Sequence, residues 1–332
     1  MLRELQVLGV VGLLLSAAMA QAQPAQRLER LRIGYAAIAA TQAELAVIKD
    51  AGIFEKHGLT VQLIFAVGGT AIQALLAGEL PIVQSTGVEV IHSVLAGSDA
   101  AVIAGVMNHN IFQLITSKEI TRPEQLKGKR AAVSRFGTAS DFSLRQVLKR
   151  LGVDPEREIT ILQLGTEPNR FAAMQSDSVQ ATVITPPLTL NARKMGFNTL
   201  ADLQSLGVEF QLTSLSSTRS YMKKNPETVR RFMRAFVTGI HYIKTHRPET
   251  LRSMAKFLRI DDREILEETY NQLFLKLLPQ KPYPTLKGIQ ANLDDVATRN
   301  PKARDVRPEQ FADLQWVREL DESGYIDRLY RP

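Results

Sequence analysis

Along the first two thirds of this chain, short apolar runs alternate with stretches whose apolar residues recur every three or four positions. Strands followed by crossover helices produce that alternation. Residues 31–35 read as a strand, and the connection 36–41 (AAIAAT) carries no charge. A helix is predicted from residue 44 through 53 and on to Gly58, followed by a strand over 60–65. Gly68, Gly69 and Thr70 turn the chain into a helix over 71–77 that Gly78 closes, and a third strand opens at 81–83 and ends at Ser85, Thr86 and Gly87. A helix over 88–95 and a strand over 101–106 extend this βαβαβ series, so a largely parallel sheet with right-handed crossovers is expected.

A second series follows. Residues 111–116 read as a strand, and Thr121, Arg122, Pro123 and Glu124 open a short helix. Strands at 130–133, 159–164 and 181–185 then alternate with helices from Thr138, over 169–175 and over 188–195. From residue 209 the pattern is extended through Phe210, Leu212 and Leu215, and it becomes helical over 226–246, 249–258, 262–278, 286–298 and 308–323. Asn225 before Pro226 reads as an N-cap with proline in the first turn, and Asp261 with Glu264 as a capping box. There is no short-period repeat and no low-complexity linker. Two α/β lobes with a cleft between them are the expected architecture.

The stretch GKRAAVSRFGTASDFSLRQVLKRLG, residues 128–152, says most about function. It reads as strand, polar turn and helix, with Phe142, Leu144, Val147, Leu148 and Leu151 at helical spacing. Thr138 and Asp141 have capping-box spacing, and Gly152 suits a left-handed C-terminal cap. Backbone N–H groups around residues 138–140, the hydroxyls of Ser134, Thr138 and Ser140, and the positive end of the helix dipole together suit a carboxylate, sulfonate or phosphate. The same residues also suit a capped helix that binds nothing. Arg135 and Gly137 lie within this turn, and Arg135 has two open roles, reaching an anion or pointing to solvent.

Ligands of open parallel sheets lie outside the carboxyl ends of the strands. Those ends are uncharged or hydroxyl-bearing here: Ala37, Ile38 and Thr41; Gly69 and Thr70; Ser85 and Thr86; Thr185 and Pro186. All nine join Ser134, Arg135, Gly137, Thr138 and Ser140 as candidate ligand-binding residues. The methyl-rich connection of Ala36, Ala37, Ile38 and Ala39 favours an alkyl or aromatic portion on the ligand; the alternative is that it packs inward as core.

Composition narrows the class. A chain of 332 residues, 45% hydrophobic, supports a large core and two lobes. The net charge of +7 favours anionic partners. Nucleic acid is not expected, because Lys and Arg are dispersed and aromatics make up only 6% of residues. The absence of cysteine excludes disulfides, thiolate catalysis and Cys-based metal sites. His57, His92, His109, His241 and His246 have no metal-ligand spacing, though His109, just past a strand, is a candidate for the cleft wall. Gly137-Thr138-Ala139-Ser140 lacks nucleophile-elbow spacing, and Gly68-Gly69-Thr70 lacks the lysine of a phosphate-binding loop. No catalytic residue, metal or cofactor is expected. The cluster Lys223, Lys224, Arg230, Arg231 and Arg234 reads as a solvated helix face, with docking to an acidic permease surface or lipid head groups as the other reading. At the start, Arg3, the apolar residues 5–20 and Ala20-Gln21-Ala22 form a secretory signal, expected to span 1–22, although Glu4 offsets Arg3. An uncleaved anchor is disfavoured by the run's length and its Gly and Ser.

The order LRIGY, AGIFEKHGLTVQLIF, GGTAIQALLAGEL, LKGKRAAVSRFGTASDFSLRQVLKRLG and SYMKKNPETVRRFMRAFV resembles periplasmic solute-binding proteins of ABC importers. The specific likeness is to the nitrate, sulfonate and taurine group, which shares its fold with a thiamine-pyrimidine synthase, and it covers roughly residues 31–237. The resemblance implies a type II periplasmic-binding-protein fold, with one lobe from 31–115 plus 209–332, its C-terminal part a helical tail, and another from 116–208. It further implies a periplasmic monomer that holds a small organic anion, a sulfonate or carboxylate, in the cleft and delivers it to an ABC permease in the inner membrane. Two alternatives are an exported enzyme of the same fold and a sensor-linked binding protein; a synthase-like enzyme would need a Cys-rich iron motif that this chain lacks. Pro81 and Thr185-Pro186-Pro187 stand where the family often has acidic residues, which leaves the fold intact and the ligand open.

Overall fold

The computed structural model describes residues 28–67, 69–206 and 209–331. The expected signal at 1–22 and the turn residue Gly68 lie outside the described residues. In chain order come β1 (Glu29–Tyr35), α1 (Glu44–Asp50), α2 (Ile53–Lys56), β2 (Leu59–Phe65), α3 (Thr70–Leu76), β3 (Ile82–Ser85), α4 (Gly87–Leu95) and β4 (Ala100–His109). The second lobe carries β5 (Gln113–Thr116), β6 (Arg130–Val133), α5 (Ala139–Arg150), β7 (Thr160–Gln163), α6 (Glu167–Gln175), β8 (Ala181–Ile184), α7 (Leu188–Lys194) and β9 (Asn198–Asp202). Strand β10 (Glu209–Thr218) returns the chain to the first lobe.

Each lobe is built on one five-stranded sheet, in the orders β2-β1-β3-β10-β4 and β7-β6-β8-β5-β9. Strand β1 pairs in parallel with β2 and β3, as the βαβαβ pattern requires. The returning strand is the departure from a largely parallel sheet: β10 inserts antiparallel between β3 and β4. Its hydroxyl-rich sequence conceals this position, because Ser214, Ser216 and Ser217 are fully buried in the centre of the sheet. In the second lobe β5 likewise runs antiparallel to β8 and β9. Strand β9 was not anticipated from the apolar pattern, which is broken there by Asn198, Thr199 and Asp202.

The helical tail comprises α8 (Arg219–Lys224), α9 (Pro226–Thr245), α10 (Arg247–Leu258), α11 (Arg263–Thr269), a π-helical segment (Tyr270–Leu277), α12 (Leu286–Val296), α13 (Gln315–Glu322) and α14 (Tyr325–Leu329). Gly239 of α9 lies so close to Ile48 of α1 that an added Cβ would collide with the isoleucine side chain. Phe232 stacks on Phe54 at 6.0 Å, so the tail closes over the first lobe.

Several helix limits differ from expectation. The helix expected to run unbroken from 44 to 58 splits at Gly52, whose φ of +66° ends one helix before α2 begins. The helix expected over 262–278 passes into the π-helical segment, and its N-cap is Asp262, which accepts from the Ile265 amide at 3.1 Å, in place of a box from Asp261. The helix expected over 308–323 is a 3-10 turn at Pro308–Phe311 followed by α13. Asn225 precedes Pro226 as expected but makes no side-chain cap bond. In the basic cluster, Arg230 pairs with Glu319 at 3.1 Å and Arg231 with Glu29 at 3.6 Å, which favours the solvated-face reading.

Candidate functional site

The lobes meet across a cavity of about 70 Å³. Three helices present their N-termini to it, and the N-cap threonine of each, Thr86, Thr138 and Thr166, stands in the wall. Thr86 forms a reciprocal box with Glu89, whose Oε2 accepts the Thr86 amide at 3.0 Å. Thr166 accepts the Asn169 amide at 3.4 Å. Thr138 behaves differently.

The capping box expected of Thr138 and Asp141 does not form. Thr138 Oγ1 donates to the Arg135 carbonyl at 2.7 Å and lies 2.8 Å from Ser134 Oγ. Ser140 Oγ sits 2.9 Å from Ser134 Oγ and accepts the Ser134 amide at 2.9 Å, so the three hydroxyls satisfy one another. Asp141 is fully buried; it accepts the Gly137 amide at 2.9 Å and pairs with Arg145 at 2.6 Å and, across the cleft, with Arg299 at 3.3 Å. Both residues of the expected box are therefore turned to other partners. Among the described residues the amides of Ala139, Ser140 and Asp141 have no acceptor, which leaves the positive end of α5 free for an anion.

The charged wall was not read from the sequence. Arg170 of α6 is only 2% exposed; its Nη1 donates to the Gly165 carbonyl at 2.6 Å, Nη2 to the Val183 carbonyl at 3.1 Å and Nε to Thr182 Oγ1 at 3.3 Å. Desolvation pulls its guanidinium below the ordinary value, and the nearby Glu167 opposes that. Glu167 Oε2 accepts the Thr185 amide at 2.9 Å and the Thr185 hydroxyl at 3.0 Å. Burial raises the carboxyls of Glu167 and Glu89 above the usual range, against the charges of Arg170 and Arg135 respectively. Both shifts run in the direction of the neutral form.

On the first lobe, Ala36 and Ala37 line the cavity together with Gln42, whose Oε1 accepts both of their amides, at 2.8 and 3.1 Å. Of the sequence candidates, Ala37, Thr86, Ser134, Thr138 and Ser140 share this wall. Gly69, Arg135, Gly137 and again Thr138 line an adjoining, wider compartment, where His92 also stands. Ile38 is half-buried and Thr70 exposed, and neither borders the two spaces. Thr41 is buried, its carbonyl taking Gln84 Nε2 at 3.1 Å. Ser85 is buried within the sheet, Thr185 is engaged with Glu167, and Pro186 is buried without lining either space. His109 is exposed and away from both spaces.

The sequence did carry one overlooked signal. Thr166-Glu167-Pro168 is an N-cap threonine with proline in the first turn, so the helix expected from residue 169 begins at Glu167, and its start brings Thr166, Glu167 and Arg170 to the cavity. Among the described residues no group of three or more His, Cys, Asp or Glu side chains is placed to hold a metal.

Comparison with known proteins agrees with this architecture. The taurine-binding periplasmic protein of Escherichia coli (strain K12) is 27% identical over 240 residues, covering 68% of this chain and 73% of that protein. The alkanesulfonate-binding protein SsuA from Xanthomonas axonopodis pv. citri, solved bound to MOPS, superposes with a TM-score of 0.68 at 22% identity, covering 84% of this chain and 94% of that one. The periplasmic nitrate-binding protein NrtA from Synechocystis PCC 6803 gives a TM-score of 0.73 at 11% identity, covering 89% of each chain; both likenesses establish the two-lobed periplasmic-binding-protein fold. The family model described as NMT1/THI5 like matches residues 40–250, and with two α/β lobes closing on a cavity ringed by helix N-termini, the chain belongs to that family.

Proposed function

We propose that this protein is the extracytoplasmic substrate-binding receptor of an ABC importer, which binds a small organic anion, a sulfonate or carboxylate, and delivers it to a permease in the inner membrane. The observation that carries this reading is the free N-terminus of α5, with three clustered hydroxyls beside it, facing a cavity between two lobes. Such a site binds negative charge through fixed dipoles and performs no chemistry on it. The printed functions of the taurine- and alkanesulfonate-binding relatives support the same ligand class. In this reading the protein acts as a periplasmic monomer, exported through a signal at 1–22, and nucleic acid is not a partner.

The lobes, 31–115 with 209–332 and 116–208, act as the two halves of a clamp. Lys194 of α7 reaches Asp262 at 3.0 Å and Glu264 at 2.7 Å across the cleft, and Arg193 reaches Glu268 at 3.5 Å. These exposed pairs contribute little individually; with the cross-cleft Asp141–Arg299 pair they hold the lobes together, and a bridging ligand adds to the bias toward closure. Solution scattering with saturating ligand is expected to show a smaller radius of gyration than the ligand-free protein; an unchanged radius with binding verified by calorimetry contradicts the clamp.

The direct test of function is the double variant Thr138→Ala/Ser140→Ala. Removal of two hydroxyls from a charge-assisted site is expected to weaken binding of a sulfonate or carboxylate by about 1–3 kcal/mol in calorimetry. Affinity equal to that of the parent protein, with an unchanged melting temperature, moves the anion away from α5.

A further inference from the structure

Outside the cleft, the helical tail encloses a cavity of about 270 Å³ between α9, α13 and α14. Its apolar lining, Met233, Trp316 and Leu320, is buried. Its charged walls are Arg230 and Arg234 from α9 and Arg328 from α14. Small-molecule sites commonly occupy roughly 300–1,000 Å³, so this one is sized for a compact charged group.

The cavity's own residues do not balance its charge. Glu319 is the acid among the lining side chains, and it is committed to Arg230, whose Nε lies 3.1 Å from its Oε2. Arg230 also reaches Glu227, one turn away, as a cation on a solvated helix face does. Arg234 has no such neighbour. The positions three and four away on its helix are Arg230, Arg231, Val237 and Thr238, and among the described residues it makes no ion pair. Arg328 makes one hydrogen bond, from Nη1 to the Ser323 carbonyl at 2.8 Å. Asp321 and Asp327, acids of α13 and α14, are drawn to Lys281 at 2.7 and 2.9 Å. Three arginines against one glutamate thus leave two positive charges around the cavity.

We propose that this cavity is a phosphate-binding site, separate from the cleft, which takes the phosphate monoester of a small solute or of an anionic lipid. Two unbalanced positive charges match a phosphate monoester, which carries about −1.5 to −2 near neutral pH; a carboxylate or sulfonate would leave one charge over. Planar guanidinium groups hold phosphate oxygens through paired N–H donors, and Arg234 and Arg328 have those donors free. The Tyr325 hydroxyl, 2.9 Å from Thr238 Oγ1, ties α14 to α9, so the helices that carry the two arginines are fixed side by side. Nothing in this site depends on the cleft.

The test is calorimetric titration of the full-length mature protein with inorganic phosphate and glycerol 3-phosphate, beside sedimentation with phosphatidylcholine vesicles that contain phosphatidic acid or phosphatidylglycerol. Both are repeated on Arg234→Gln/Arg328→Gln and on Thr138→Ala/Ser140→Ala. The glutamine pair is expected to weaken phosphate binding about tenfold or more, through lost charge-assisted hydrogen bonds. The melting temperature of the ligand-free protein should stay near the parent value, because both arginines are exposed. Glu319→Gln, which frees Arg230, should tighten binding, and the alanine pair in the cleft should leave it unchanged. Sedimentation with phosphatidic acid and no binding of soluble phosphate identifies a lipid as the source, and the reverse pattern a solute; both support the site when the glutamine pair removes the signal. Phosphate binding that the alanine pair abolishes and the glutamine pair leaves intact belongs to the cleft and overturns the proposal. Equal sedimentation with phosphatidylglycerol, whose phosphate is a diester, reduces the site to general surface charge and overturns it, as does the failure of every phosphate and vesicle to bind.

Discussion

Arg170→Met is expected to destabilise the folded protein by about 1–3 kcal/mol for each buried acceptor left without its donor. The guanidinium holds the Gly165 and Val183 carbonyls and the Thr182 hydroxyl, and its charge opposes the desolvation of Glu167. Methionine fills much of the volume but donates nothing, so two carbonyls lose their partner and Glu167 loses its counter-charge. Arg170→Lys keeps the charge without the planar fork and should fall between. Urea unfolding measures the difference, and adding Glu167→Gln to Arg170→Met should restore part of it, because the amide needs no counter-charge. A single Arg170→Met variant within about 1 kcal/mol of the parent would refute this account.

Arg170 also shows where sequence reading stopped. The βα alternation, the polar turn at residues 134–140 and the two-lobe plan were all readable from local apolar spacing and turn residues, because each depends on neighbours a few positions away. The wall formed by Glu89, Glu167 and Arg170 was not. An isolated acid or base inside a helix pattern looks the same whether it faces solvent or a cavity, and only the packing of α4 and α6 across the cleft turns these three inward. Strand β10 failed for a related reason: Ser214, Ser216 and Ser217 mark a polar extended segment, whereas the sheet buries them between β3 and β4. The Thr138 cap was misread on a finer scale, because its hydroxyl had a closer competitor, the Arg135 carbonyl, inside the same turn.

Ser85, Thr41 and Thr185 were candidates because they end strands, and their positions show what else strand ends do. Thr185 braces a residue that does reach the cavity, whereas Thr41 belongs to the buried polar layer of the first lobe. Thr185 fixes Glu167, and the Thr41 carbonyl accepts from Gln84, the residue that also donates to Glu44. Gln42, next to Thr41, in turn holds the Ala36 and Ala37 amides at the cavity edge. The uncharged connection at 36–41 is thus shaped by buried polar side chains, and of its residues Ala36 and Ala37 line the inner cavity.

Glu44→Gln is expected to make the protein more stable at pH 8 by several kcal/mol while changing it little at pH 5. Glu44 is completely buried, and burial pushes its carboxyl up to about 8 against hydrogen bonds from its own amide and from Gln84. An unfolded chain releases this proton near 4.5. Between those two values the folded protein holds one proton more than the unfolded chain, so stability falls as pH rises, by about 1.4 kcal/mol per unit. The contribution is fully present below the unfolded value and is lost once pH passes the folded one. Glutamine is neutral throughout and removes that slope. Its amide also offers a donor where Glu44 Oε2 and Gln84 Oε1 have no hydrogen-bond partner among the described residues. Urea unfolding of parent and variant from pH 5 to 8.5 isolates the effect, since every other titrating group cancels in the difference between the two proteins. A difference that does not change with pH would mean that Glu44 titrates in the folded protein as it does in the unfolded chain.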